Sequence, residues 1–157
     1  MRSEEMEVRF QRISSAQVDE MWSYVENKTQ QRWLWHAIDT RTGVIIAYVL
    51  GRREKAVFIE LKRLLKPFRI RLYQTDNLHI YHENIPRNQL ETGKDKTQRI
   101  ERKHLTLRTR IKRLTRKTIC FSKNISMHDI VIGLFINHYD FGIPLHVFCP
   151  NLFSCNI

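Results

Sequence analysis

The sequence has few of the features that form disulfide bonds, zinc sites or membrane segments. It contains three cysteines, Cys120, Cys149 and Cys155, which form no C-x-x-C pair and no zinc set with the histidines. No apolar run approaches the roughly 18–20 residues that cross a bilayer. The start, MRSEEMEV, has no apolar signal-peptide core. We therefore expect reduced thiols, no membrane segment and a cytoplasmic location.

Acidic residues are also scarce. The chain has 16 Asp and Glu against 27 Lys and Arg, which gives a net charge of +11 over 157 residues. The excess is concentrated, because eleven Lys or Arg and only two acids lie between Lys94 and Lys117. A solvated helix face usually mixes both signs, whereas a strip of one sign suits a polyanion. Nucleic acid is the expected partner, ahead of a membrane surface.

The remaining composition, 42% hydrophobic and 27% charged residues, is typical of one folded α/β domain. Three segments rich in aromatic and β-branched residues and joined by short polar links predict an antiparallel meander. A helical stripe ended by Pro67 and an alternating segment then predict a crossover helix and a fourth, parallel strand. In order, these elements are Val18–Val25, Arg32–Asp39, Val44–Leu50, Glu54–Lys66 and Phe68–Thr75.

The second half of the chain predicts mainly helices. A short fifth strand is expected near Gln89–Glu91, followed by a long basic helix from Thr97 to Thr118. A last apolar helix is expected to end near Tyr139 and to begin at the S-x-x-D of Ser126 and Asp129. The order of elements is that of an RNase H-like α/β fold, with a meander and parallel strands in one mixed sheet between helices.

In that topology the first and fourth strands are neighbours, so Asp19 and Asp76 are expected to meet at one edge of the sheet. Glu101, early in the basic helix, would approach them from the side. Carboxylate oxygens are the ligands that Mg²⁺ and Mn²⁺ prefer. Two such ions can activate the attacking oxygen and neutralise the leaving one in a phosphodiester displacement.

Each acid also has an ordinary structural interpretation. Asp76 in T-D-N is compatible with a turn aspartate, and Glu101 with an exposed helix glutamate. Glu20 and Asp39 compete with Asp19, although Glu20 is expected on the opposite face of the strand. The residues alone indicate a basic α/β protein with a candidate acidic site.

Three stretches carry a resemblance to a known family: QVDEMWSYV, YQTDNLHIY, and the block TQRIERKHLTLRTRIKRLTRKTICFSKNISMHDIVIGLFIN. They closely resemble the transposases of the smallest bacterial insertion sequences, the family founded by the first numbered insertion sequence, over roughly residues 16–142. The resemblance implies a D-D-E triad at Asp19, Asp76 and Glu101 that holds two Mg²⁺ or Mn²⁺ ions.

The resemblance also bears on the basic helix. Arg108 follows Glu101 by two helical turns, where transposases of this type often carry a basic residue that holds DNA. The other residues predicted to grip phosphates are Arg102, Lys103, Lys112 and Arg113.

The expected function is metal-dependent cleavage and strand transfer by a transposase catalytic domain, acting as a homo-oligomer on DNA. The expected domains are an extension (1–15), an RNase H-like catalytic domain (16–142) and a tail of unassigned role (143–157). Nothing in residues 1–15 resembles the family's zinc-binding and helix-turn-helix portion, so that portion is expected from an upstream reading frame. The alternatives are a non-catalytic DNA-binding fragment that regulates transposition, and a stand-alone nuclease of the same fold.

Overall fold

A computed structural model describes residues 12–115 and 117–143. The tail and most of the N-terminal extension lie outside these residues. Short 3-10 turns connect several of the elements. The strands and helices are β1 (Ser15–Val25), β2 (Asn27–Asp39), β3 (Ile45–Gly51), α1 (Lys55–Leu65), β4 (Leu72–Thr75), α2 (His79–Asn84), β5 (Leu90–Thr92), α3 (Gln98–Arg110) and α4 (Ile125–Tyr139).

The five strands form one mixed sheet in the order β3-β2-β1-β4-β5. β1 is antiparallel to β2 and parallel to β4, and β5 continues the parallel half. The predicted α/β fold is therefore confirmed. The β1–β4 register pairs Gln17 with Gln74. Two residues further along both strands, this register brings Asp19 beside Asp76.

Helices cover both faces of the sheet, which explains why the later part of β2, Leu34–Ile38, is buried without interruption. On one face, Trp35 of β2, Phe58 of α1 and Tyr81 of α2 pack together, with ring centroids 5.1–6.2 Å apart. On the other face, α3 and α4 bury Ile100, Leu107, Ile132 and Ile136 against β1 and β2; together with Met21 and Leu34 these side chains form a second core cluster. In the part of the chain that the structure describes, no helix is long and apolar enough to cross a bilayer.

Two predicted boundaries in the first half are wrong. The polar link after β1 is mostly strand, because the turn is made at Glu26 alone, with φ 63°, and β2 begins at once with an exposed end at Asn27. β4 begins at Leu72 rather than Phe68, because Lys66–Phe68 form a 3-10 turn that contains Pro67, and the next residue, Arg69, has a left-handed φ of 48°.

Two predictions in the second half are also wrong. α3 ends at Arg110 rather than Thr118, since Ile111 is extended and a 3-10 turn follows. This break allows the chain to return to the sheet, where Ser122 bridges to Val25. α4 is capped by Asn124, whose side chain accepts a hydrogen bond from the amide of Met127 at 3.0 Å, rather than by the S-x-x-D motif.

The cap of α4 gives a direct prediction. Asn124→Ala should lower the free energy of unfolding by about 1 kcal/mol, because the amide of Met127 loses its acceptor. The measurement is urea denaturation followed by circular dichroism. Ser126→Ala is the matched control, since Ser126 lies exposed inside the first turn of α4 and should change stability little. A larger loss of stability in Ser126→Ala than in Asn124→Ala would indicate that the S-x-x-D motif caps α4.

Candidate active site

Asp19 lies in the middle of the central strand, with its side chain directed toward α3. Its Oδ1 atom accepts a hydrogen bond from the amide of Glu20 at 2.8 Å. Its Oδ2 atom lies 3.9 Å from Nδ1 of His104, and the Asp19 side chain is 16% exposed. Asp19 is therefore oriented by its own strand and by α3, with one carboxylate edge near solvent.

Asp76 follows directly on β4, where it makes a turn hydrogen bond and lies beside Asp19. Its Oδ1 atom accepts the amide of Leu78 at 3.0 Å, which is a turn-type bond. At the same time, Asp19, Glu20 and Asp76 each offer one oxygen within 4.8 Å of the others. The turn thus fixes the carboxylate of Asp76 beside that of Asp19.

Glu101 lies in the first turn of α3 and is exposed. Its Oε1 atom accepts a hydrogen bond from the Thr97 hydroxyl at 3.2 Å. Among the described residues, the group of oxygens within 4.8 Å does not include Glu101. Its charge nevertheless contributes to the raised pKa of Asp19, so the two carboxylates interact.

Glu20 is the acid in the cluster that the sequence did not select. Strand alternation directs it away from α3 and toward α2, as expected. There it accepts two hydrogen bonds from Arg53, at 2.6 and 2.9 Å, and one from the Tyr81 hydroxyl at 2.7 Å. Its carboxylate is 2% exposed and bound on both oxygens, which leaves it less available to a ligand than Asp19. No local pattern in the sequence links Glu20 to Arg53 or Tyr81.

The electrostatics of the cluster are dominated by burial and by like charges. Burial, with the neighbouring charges of Glu20, Asp76 and Glu101, raises the pKa of Asp19 to about 7. Burial also raises the pKa of Glu20, although its bonds to Tyr81 and Arg53 oppose this. A bound cation would stabilise the ionised form of these buried and mutually repelling carboxylates.

Two histidines line the α3 side of Asp19. His36 pairs with Asp19 across β1 and β2, and its ring centroid lies 4.9 Å from that of His104. His36 is fully buried, and this burial lowers its pKa to about 4. The side chain beneath Asp19 is therefore uncharged at neutral pH.

A chain of side-chain amides crosses the sheet beside the acids. Gln17 accepts a hydrogen bond from the backbone amide of Ile100, in the first turn of α3, at 2.8 Å. The Gln17 amide donates to Gln74 at 3.4 Å, and Gln74 donates to Glu91 at 3.1 Å. Gln17 is 7% exposed, so β1, β4, β5 and α3 are joined by buried or half-buried hydrogen bonds.

This amide network is adjacent to every predicted metal ligand. Gln17 precedes Asp19 by two residues, and Gln74 precedes Asp76 by two, so each glutamine shares a strand face with its aspartate. The backbone amide that Gln17 binds is the one just before Glu101. Sequence reasoning missed this arrangement, because glutamine in a strand has no distinctive local signal.

The five predicted DNA-binding residues differ in what they contact. Arg102 is exposed, and it lines a cleft of about 400 Å³ with Arg41, Arg99 and Lys103. The amine of Lys103 forms an ion pair with Asp140.

The other three lie further along the same segment. Arg108 is half-buried on α3, and Lys112 is exposed in the following turn. Arg113 is half-buried and donates to the Ser122 hydroxyl at 3.2 Å. The predicted role in DNA binding stays a prediction for all five residues.

Comparisons with known proteins show which family the sequence matches. The sequence model of the IS1 transposase family matches residues 12–142. The insertion element iso-IS1n protein InsB of Shigella dysenteriae is 49% identical over 125 residues, which cover 80% of this chain and 95% of that protein. The insertion element IS1 protein InsB of Shigella sonnei is 40% identical over 129 residues, which cover 81% of this chain and 98% of that protein.

A solved structure supports the fold alone. A chain of the cryoEM structure of the simian T-cell lymphotropic virus intasome, in complex with PP2A regulatory subunit B56 gamma, aligns with a TM-score of 0.57 at 16% identity. The alignment covers 83% of this chain and 50% of that chain.

The mixed sheet, the acids where β1 meets β4 and the relatives together define a transposase catalytic domain, an enzyme whose partner is DNA. Enzymes of this class generally use divalent metal ions. The chain belongs to the IS1 transposase family, and the resemblance found in the sequence is thereby confirmed.

Proposed function

We propose that this chain cleaves DNA at the ends of an insertion sequence and transfers the freed strand to a target, with two Mg²⁺ or Mn²⁺ ions held by Asp19, Asp76 and Glu101. The observation that carries the proposal is the meeting of Asp19 and Asp76 across parallel β1 and β4, where burial and the neighbouring acids raise the pKa of Asp19 to about 7. The catalytic domain is proposed to span residues 16–142.

The residues present fit a divalent cation. All the donors are carboxylate oxygens, which suits hard cations. Burial and mutual repulsion disfavour the ionised cluster, and a bound cation would offset both effects. When bound, such ions activate the attacking oxygen and neutralise charge on the leaving one.

The chain's own side chains would hold and orient the reacting groups. Asp19 and Asp76 are fixed by amide hydrogen bonds from Glu20 and Leu78, so their carboxylates keep a common orientation. Glu101 is exposed on the first turn of α3, and its carboxylate would be the third ligand.

The basic groups beside this cluster would bind the DNA backbone. Arg102 and the cleft that it lines with Arg41 and Arg99 offer guanidinium groups to phosphates beside the first turns of α3. Arg108 and Lys112 would extend the contact along the DNA. Lys103 and Arg113 would have to exchange their present partners, Asp140 and Ser122, for phosphate.

Two further parts of the proposal concern partners. Recognition of the element ends is assigned to a zinc-binding and helix-turn-helix portion supplied from an upstream reading frame. Joining two ends to one target requires more than one catalytic domain, which favours a homo-oligomer on DNA.

A strand-transfer assay tests the proposal. The chain is fused to the end-binding portion and incubated with labelled element-end duplex, target DNA and either Mg²⁺ or Mn²⁺. We expect joined products that disappear when EDTA is added. Products that persist in EDTA would contradict the metal assignment.

Other outcomes of the same assay separate the alternative functions. Equal cleavage of duplexes that lack element ends would indicate a stand-alone nuclease. DNA binding without any product, in either metal, would indicate a regulatory fragment.

A further inference from the structure

We propose that a second basic cleft, formed by Arg12, Arg69 and Arg71, binds the phosphate backbone of duplex DNA. We call it the arginine cleft. It lies where the chain enters β1 and β4, whereas the acids lie further along both strands. The inference rests on the proposed function only in that DNA is the partner, and it assigns a contact surface separate from α3.

The backbone brings the three arginines together from two distant parts of the sequence. The amide of Ile13 donates to the carbonyl of Phe68, and the amide of Leu72 donates to the carbonyl of Ser14, both at 3.2 Å. These bonds hold the segment before β1 and the segment before β4 side by side. The resulting cleft has a volume of about 550 Å³ and is lined by Arg12, Ile13, Ser14, Arg69 and Arg71. None of the described residues that line it is an acid.

The charge of the cleft is not neutralised within the described part of the chain. There, the side chains of Arg12, Arg69 and Arg71 form no ion pair and donate no hydrogen bond to protein. Other arginines of the fold are bound to acids: Arg32 to Asp129, Arg53 to Glu20 and Arg63 to Glu60. Three adjacent guanidinium groups without acids repel one another, and a polyanion would remove that repulsion.

The backbone at Arg69 gives an independent indication. Arg69 has φ 48° and ψ 47°, in the left-handed region. The turn needs this conformation because Pro67 ends the preceding helical segment and the chain must then reverse into β4. Glycine adopts it freely, whereas an L side chain costs roughly 1–2 kcal/mol there. The fold keeps an arginine here despite this cost, and its side chain lines the cleft.

The position of the cleft suits a contact flanking the reacting phosphate. From Leu72 to Asp76 the chain advances four residues, or about 13 Å along the strand direction. This distance corresponds to about four base pairs of duplex DNA at 3.4 Å each. Guanidinium groups bind phosphate oxygens in pairs and do so regardless of base sequence, so the cleft is expected to contribute affinity rather than specificity.

The test is duplex binding by the chain at several salt concentrations, followed by fluorescence anisotropy. Arg69→Gly removes the side chain and suits the backbone, so its melting temperature should not fall. Its affinity at 100 mM salt should fall several-fold, and the slope of log K against log salt should decrease by about 0.9 for each lost phosphate contact. The combination of Arg12→Gln, Arg69→Gly and Arg71→Gln should reduce the slope by about 2.7, since three contacts are lost.

Arg63→Gln is the matched control. It removes one positive charge from the neighbouring α1, but Arg63 is already bound to Glu60 at 2.6 Å. The salt slope of this variant should equal that of the unaltered chain. Unchanged affinity and slope in Arg69→Gly, or an equal loss in Arg63→Gln, would overturn the proposal. Because binding is measured without catalysis, failure of strand transfer would leave this result interpretable.

Discussion

Asp19→Asn is expected to abolish metal-dependent strand transfer, with a loss of about a thousandfold or more, while the chain stays folded. Asparagine keeps the shape of the side chain, and its carbonyl oxygen can still accept the amide of Glu20. It removes the negative charge by which Asp19 would bind the cations. The measurement is the strand-transfer assay in Mg²⁺ and in Mn²⁺.

The same variant should show how much the charged cluster lowers the free energy of unfolding of the metal-free chain. The folded pKa of Asp19, about 7, lies above its ordinary value of 3.8. Between these values the folded chain holds a proton that the unfolded chain releases, so stability falls as the pH rises from about 4 to 7. In EDTA at pH 8, Asp19→Asn should therefore be more stable than the unaltered chain, by at most about 4 kcal/mol. Urea denaturation at pH 5 and at pH 8 measures the difference.

Glu20→Gln is the control for both the strand-transfer assay and the stability measurement. Its neutral amide leaves Arg53 without its ion pair and gives Tyr81 a weaker acceptor. Loss of a charged hydrogen-bond partner of this kind costs about 1–3 kcal/mol and opposes the gain from removing a buried carboxylate whose pKa is raised, so this variant should gain less stability at pH 8 than Asp19→Asn does. Its residual activity should keep the same metal requirement. If Glu20→Gln were inactive and Asp19→Asn active, the ligand assignment of these two neighbours would be reversed.

The topology of the site could be predicted because it depends on strong local patterns. Apolar strands joined by short links predict a meander, and a crossover helix places the next strand parallel to the first. Asp19 and Asp76 become neighbours through this order alone. Alternation along β1 also separated Asp19 from Glu20, and the structure directs the two side chains to α3 and α2, respectively.

Features that depend on tertiary contacts could not be predicted. Ile111 and Leu114 continue the helical spacing of α3, yet the helix ends before them, and both are buried by an extended residue and a tight turn. The basic strip indicated a polyanionic partner. It did not show which of its lysine and arginine side chains are bound to acids of the same chain. Lys103 contacts Asp140, which lies 37 residues later, and no spacing rule reveals this pair.

Gln17→Leu is expected to reduce strand transfer about 10- to 100-fold, because the hydrogen bond of Gln17 to Ile100 sets the position of α3, and with it Glu101, relative to Asp19. Hydrogen-bonding neighbours of metal ligands affect metal affinity or activity by this factor in other metal sites. The metal concentration for half-maximal activity should rise about tenfold. Gln17→Glu should recover part of the activity, since its carboxylate still accepts the amide of Ile100 but no longer donates to Gln74.

A merely structural role for Gln17 makes a different prediction. Asn124→Ala also removes a side-chain bond to the first turn of a helix, but α4 carries none of the proposed ligands. It should lower stability and leave the metal requirement unchanged. If Gln17→Leu behaved in the same way, the amide network would only hold the fold. A raised metal requirement in Gln17→Leu alone, reversed in Gln17→Glu, would mean that the network sets the distance between the helix that carries Glu101 and the strand that carries Asp19.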